Sequence, residues 1–348
     1  MTMSHEFKTE QEPKKVLIHI IGNGYDIQEG YKTKFQDFLK KEQKNKELLS
    51  NPWGKDFLQI YRKESSELLW CNFEQEIYKA IKELHIPVNT SHMPSKKRFP
   101  HLQQRFLKEY AKPQHTSTKH GIKAAINNIY SDLRCFTRLF HNYLVRNVRV
   151  QKDSILNELN KKTYPDSIVH SKVINFNYTK TFEAINRERY INANHSLDIY
   201  HVHGVIGDSE ISKEKENEMN LVLGCQSFDP ADKIDPAWNV FTKHYQRHRY
   251  GTIEKYQELL KELSHFKCEI AFCIIGHSLD HADHALLKHV LCCSSYNTAV
   301  QDSFISVYYH DEEARSRLIN NITDIIGEKD VMTRVTFLDQ KSIFIDNV

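Results

Sequence analysis

The stretch Val16-Leu17-Ile18-His19-Ile20-Ile21-Gly22-Asn23-Gly24-Tyr25-Asp26 decides the fold. A short run, apolar except for His19, ends at two glycines separated by one asparagine. Such a run bounded by glycine reads as a buried strand entering a tight turn. The same punctuation recurs downstream. Ile168 to Phe176 is strand-like and runs into Asn177-Tyr178-Thr179. Ile199 to Val202 ends at His203-Gly204, and Cys268 to Ile275 ends at Gly276. Leu221 to Leu223 reads as a short strand stopped by Gly224, and Phe304 to Tyr309 as another strand. Helical patterns fall between them, at about 181–190, 240–264, 280–291 and 312–326. This alternation predicts an α/β protein with a parallel sheet and covering helices.

The block after the first strand has a different texture. Phe35, Phe38 and Leu39 share a helical face. Phe57, Ile60, Tyr61, Leu68, Leu69, Phe73, Ile77, Ile81 and Leu84 keep near-helical spacing, as do residues from Ile122 to Val148. Pro87, Pro94, Pro100 and Pro113 punctuate a polar loop region between them. The expected organisation is an α/β domain formed by 14–34 plus 166–348, with an all-helical insertion at 35–165 as its lid or sensor.

The chain has 348 residues, 40% hydrophobic and 27% charged, which supports a sizeable core and excludes disordered or collagen-like classes. Glycine is scarce, 11 of 348 residues or about 3% against a usual ~7%, so each one marks a position worth reading. A net charge of +3, from 48 basic and 45 acidic residues, argues against a dedicated nucleic-acid or anionic-membrane surface. No apolar run reaches the ~20 residues of a membrane helix. Met1 to Lys15 is polar, without the apolar core of a signal peptide. The seven cysteines are odd in number and form no C-x-x-C pair, which fits reduced thiols and a cytoplasmic location.

In an open α/β sheet, ligands bind outside the carboxyl ends of the strands. Gly22 and Gly24 suit backbone approach to a phosphate or ribose, and equally a plain tight turn. Asp26 fits a ribose hydroxyl or a helix cap. Asn175 and Asn177 suggest a polar tip facing a cleft, or an Asx turn. His201 and His203 face the same way if both lie on a strand. His203 fits a general base, a ribose contact or a structural histidine. The pair lacks a third ligand for a metal. Gly276-His277-Ser278 suits a nucleotide turn and also resembles a nucleophile elbow centred on Ser278, although Asp280 stands where that motif needs glycine. Asp280, His281, Asp283 and His284 have metal-ligand chemistry, but they also fit a capped, solvated first helical turn, so no metal is expected.

In their order these motifs resemble the AbiH family of phage abortive-infection proteins. The marks are Gly22-Asn23-Gly24-Tyr25-Asp26, Trp70-x-x-Phe73-Glu74, Asn175-Phe176-Asn177-Tyr178-Thr179, His201-x-His203-Gly204 and Gly276-His277-Ser278-Leu279. The resemblance spans about residues 16–310. It implies a distant, sirtuin-like branch of Rossmann-type NAD-binding folds. Carried over residue by residue, Gly22, Asn23, Gly24 and Asp26 lie where a cofactor is cradled, and Asn177 matches an asparagine at the nicotinamide ribose. His203 matches the catalytic histidine, and Gly276, His277 and Ser278 match an adenosine-ribose turn. Thr179 stands where sirtuins hold the nicotinamide amide with an aspartate, and their four-cysteine zinc module has no counterpart, so deacetylation is not expected.

The resemblance therefore implies an antiphage effector that binds NAD and hydrolyses its nicotinamide–ribose bond, with Asn177 and His203 catalytic. An unperturbed histidine pKa near ~6.5 suits that role. A phage-derived trigger, a partner subunit or a homo-oligomer would gate it. A nucleotide-binding sensor without turnover is the alternative. A serine hydrolase using Ser278 leaves the other motifs unexplained, and a nuclease lacks a carboxylate–metal cluster. Glu74 either stands exposed or reaches over the cleft.

Overall fold

The computed structural model describes residues 15–63, 66–85, 98–113, 117–148, 170–192, 196–265, 269–292 and 303–340. Six strands form one sheet: β1 (Lys15–Ile21), β2 (His170–Asn175), β3 (Ser196–His201), β4 (Glu269–Ile275), β5 (Phe304–Tyr309) and β6 (Val335–Asp339). Their order is β3-β2-β1-β4-β5-β6, and every neighbouring pair is parallel. This is the order of a doubly wound sheet, with its switch point between β1 and β4. The strands are Val- and Ile-rich because both faces are covered. Val16, Ile18 and Ile20 join Ile174, Ile270, Phe272 and Ile274 in one core, while Ile21, Val173 and Ile275 join Phe182 in the other.

The register puts four strand ends in one row. Asn175 pairs with Ile21 and with His201, and Ile21 pairs with Ile275. The four motifs singled out in the sequence therefore leave the sheet side by side.

Between β1 and β2 the chain forms helices Phe35–Glu42, Lys46–Ser50, Pro52–Lys63, Ser66–His85, Pro100–Tyr110 and Thr118–Asn147. Their core is aromatic: the rings of Phe35, Phe38, Phe57, Phe73, Phe136 and Phe140 pack together. Pro100 stands at the first position of a helix where the sequence predicts loop; its missing N–H costs nothing there. Pro87, Pro94 and the side chain of Trp70 lie outside the described residues. The same core takes in Ile206, Met219, Leu221, Leu223, Trp238 and Phe241 from the crossover between β3 and β4.

Leu221–Leu223 is not a strand. Its backbone is satisfied off the sheet: Val222 N donates to the His203 carbonyl at 2.9 Å and Leu223 N to Gln246 Oε1 at 2.9 Å. The helical pattern predicted over 240–264 is two helices, Lys243–Arg249 and Thr252–Leu263, divided at Gly251 with φ +68°. β6 is an addition to the sequence-based expectation. Among the described residues no helix is long and apolar enough to cross a membrane. Cys135, Cys225, Cys273 and Cys292 are free thiols.

Candidate active site at the crest of the sheet

The two glycine turns at the switch point are packed backbone against backbone. Gly22 N donates to the Ile275 carbonyl at 3.0 Å, and Gly24 N to the Gly276 carbonyl at 2.8 Å. A β-carbon on Gly22 would lie 2.4 Å from the Cα of His277. Gly276 has φ +64°, and a β-carbon there would lie 2.1 Å from Tyr25 N. The turn's glycines thus let two loops touch, and their amides are bonded to β4. Asn23, between them, has a buried Nδ2 without a partner.

Asp26 neither caps a helix nor reaches the surface. It is 0% exposed, inside helix Asn23–Gln28, behind the end of β2. Asn177 Nδ2 donates to its Oδ1 at 3.1 Å and the Thr179 hydroxyl to its Oδ2 at 2.5 Å. Burial pushes its carboxyl up to about 7 against those hydrogen bonds. Asn175 forms the Asx turn: its Oδ1 accepts from Asn177 N at 2.9 Å. Asn177 is therefore immobilised on both sides, yet its Oδ1 is buried with no partner.

The two histidines of His201-Val202-His203 part company. β3 ends at His201, whose Nε2 is 2.5 Å from Glu183 Oε1 on helix Thr181–Asn192. His203 lies in the following turn. Its Nδ1–H donates to the Phe176 carbonyl at 3.2 Å; in the neutral ring Nε2 is then the accepting nitrogen, and it also lies 3.0 Å from Asp283 Oδ1. Arg247 Nη2 donates to that Nε2 at 2.7 Å. Burial, then the nearby Lys243 ammonium, lowers His203 to about 3, well below the ordinary value expected of a general base.

Around His203 the sequence missed a buried ionic network. Arg247 Nη2 also bonds Asp283 Oδ1 at 2.6 Å, and Lys243 Nζ meets the Asp283 oxygens at 3.2 and 3.1 Å. The two cations hold Asp283 well below the usual carboxylate range despite its burial. Lys243 also pairs with Glu74, from the inserted helix Ser66–His85. Arg247 Nε is buried without a partner. Lys243 and Arg247 are one helical turn apart, a spacing that puts both on one face. Glu74 and Asp283 were visible as candidate groups, but the pairings were not, because the partners are distant in sequence.

The turn after β4 carries strain. Leu279 is buried with φ +56°, unusual for a bulky residue. Its N–H donates to His277 Nδ1 at 2.9 Å, and burial lowers His277 to about 4. The His277 ring packs edge-on against Phe176 with centroids 4.3 Å apart. Ser278 is exposed, its carbonyl accepting from Asn321 Nδ2 at 2.9 Å. Among the described residues no histidine bonds its hydroxyl, so the elbow lacks a base. Neither Ser278 nor Asp280 makes a side-chain cap bond.

The family model for bacteriophage abortive infection AbiH matches residues 18–306. No curated protein matches the chain.

Proposed function

The chain belongs to the AbiH family, whose description points to a role in bacteriophage abortive infection, and from that premise we propose that it is an effector that binds NAD at the β1/β4 switch point and hydrolyses the nicotinamide–ribose bond. The observation that carries this reading is the unpartnered, buried Oδ1 of Asn177, on a carboxamide fixed by Asp26 beside the switch point. Breaking that bond builds positive charge at the ribose anomeric carbon. Asn177 Oδ1 accepts a hydrogen bond from a ribose hydroxyl or from the attacking water and so orients it. Asn23 Nδ2 and Arg247 Nε offer donors to the phosphate and hydroxyl oxygens of the same ligand. The Gly22 and Gly24 amides do not serve the diphosphate here, because β4 holds them.

Incubation of the pure protein with NAD and chromatographic detection of nicotinamide tests the reading. Asn177→Ala should lower release by at least ~100-fold. No release from any oligomeric form, with or without lysate of phage-infected cells, ends the enzymatic reading.

A nucleotide-binding sensor without turnover is favoured by one observation: the His203 lone pair is held by Arg247. Calorimetry showing NAD or ADP-ribose binding without product selects it, and His203→Ala should then leave phage protection intact.

A further inference from the structure

The crest needs a group that can take a proton from water, and most of its titratable side chains are spoken for. His203 donates from Nδ1 to a carbonyl and accepts at Nε2 from Arg247. Asp283 receives Lys243 and Arg247 together. Asp26 is sealed behind Asn177 and Thr179. Glu74 differs from all three. The helix that carries it buries Phe73 and Ile77 in the aromatic core of the insertion, which fixes the backbone on either side. Its carboxylate leaves that core and pairs with Lys243; among the described residues it has no other hydrogen-bond partner. Its side chain keeps 30% accessibility, against 10% for Asp283 and 5% for His203. Desolvation nevertheless dominates its titration.

We propose that Glu74, delivered by the helical insertion and steadied by Lys243, is the general base that activates water for the hydrolysis. The inference rests on the NAD-hydrolysis reading above and adds its proton acceptor. In the step, the water oxygen bonds to the ribose anomeric carbon as the carbon–nitrogen bond breaks. The electron pair of that bond goes to the nicotinamide nitrogen, neutralising the pyridinium. The water proton passes to Glu74 and from its partly accessible carboxylate to solvent. Lys243 is a positioning residue: it fixes one carboxylate oxygen. Asp283 in turn anchors Lys243.

The groups facing Glu74 are Lys243, Asp283 and Asp280, with the Tyr178 hydroxyl and the Cys225 thiol nearby. Burial raises the carboxyl to about 7, Lys243 opposing and the two aspartates adding. The rate should therefore rise with pH through an inflection near 7 and level off above it.

The experiment compares wild type, Glu74→Gln and Glu74→Ala in nicotinamide release against pH, with NAD affinity by calorimetry. The expected result for Glu74→Gln is turnover down at least ~100-fold with affinity within a few-fold and the inflection gone. Glu74→Ala should regain part of its rate in added formate, a small carboxylate that fills the gap. Wild-type turnover and pH profile in Glu74→Gln would overturn the assignment while leaving NAD hydrolysis standing. So would lost affinity together with no formate rescue, which marks a structural role. A wild type that releases no nicotinamide removes the hydrolysis reading itself, and the base with it.

Discussion

Nε2 of His203 accepts a hydrogen bond from Nη2 of Arg247 at 2.7 Å. Burial first, then the Lys243 ammonium and the Arg247 guanidinium, disfavours the charged form of His203, with Asp283 opposing. Arg247→Met should raise the His203 pKa, since one lowering cation leaves while Asp283 stays. The titration of the His203 ring, followed by NMR, checks the direction. The substitution also strips Asp283 of a buried partner, with a stability cost on the order of 3–5 kcal/mol in denaturant melts.

Stability should depend on pH through two opposed sets of groups. Burial lowers His19, His203 and His277 to about 4, 3 and 4. An unfolded histidine titrates near ~6.5, so each contributes stability that is full above that pH and lost as pH falls through the folded value. Asp26 and Glu74, raised to about 7, behave oppositely. They bind a proton in the folded state over a window in which the unfolded chain has lost it. Their contribution is full below ~4 and is lost as pH rises through about 7. Asp26→Asn removes one of these acids. Relative to wild type it should gain stability as pH rises from ~5 to ~8, by a few kcal/mol, and lose stability more steeply on acidification. Guanidinium midpoints across that range are the measurement.

Two glycines make a matched test of the packed turns. Gly276→Ala sets a β-carbon 2.1 Å from Tyr25 N at φ +64° and should cost on the order of 3 kcal/mol or more. Gly327→Ala, at φ +88° and ψ 155° in a region essentially reserved for glycine, has nothing within 4 Å, so only the backbone term of roughly 1–3 kcal/mol applies. Urea midpoints at unchanged slope report the difference.

Phe136 touches Phe35, Phe38, Phe57 and Phe73. Phe136→Ala should cost about 3–5 kcal/mol, read as a lower thermal midpoint of the helical circular-dichroism signal. A surface change such as Glu313→Ala should stay within ~0.5 kcal/mol.

The strands were legible because their apolar runs stop at residues that cannot continue them, as at Gly22, Asn177, Gly204 and Gly276. Helices such as Glu312–Ile326 followed from periodicity. Pro100–Tyr110 was hidden because its proline reads as a breaker when it is in fact a first-turn residue. In the site, Asn177 and His203 were visible at strand ends, but not what holds them. Asp26 meets Asn177 across 151 positions and Arg247 meets Asp283 across 36. Local pattern carries no trace of such pairings. It also carries no trace of burial, which lowers His203 to about 3 and raises Glu74 to about 7.

The crossover between β3 and β4 sends Ile206, Met219, Leu221, Trp238 and Phe241 into the aromatic core of the insertion. Arg134 reaches from helix Thr118–Asn147 to the carbonyls of Glu216 and Met219, at 2.9 and 2.8 Å. The helical block is therefore not a cassette that recombination could exchange by cutting near residues 35 and 165. A transplanted block would arrive without part of its own interior, and the recipient sheet would keep an apolar loop with nothing to cover it. Change in this architecture has to be concerted, with the block's inner face and the crossover altering together.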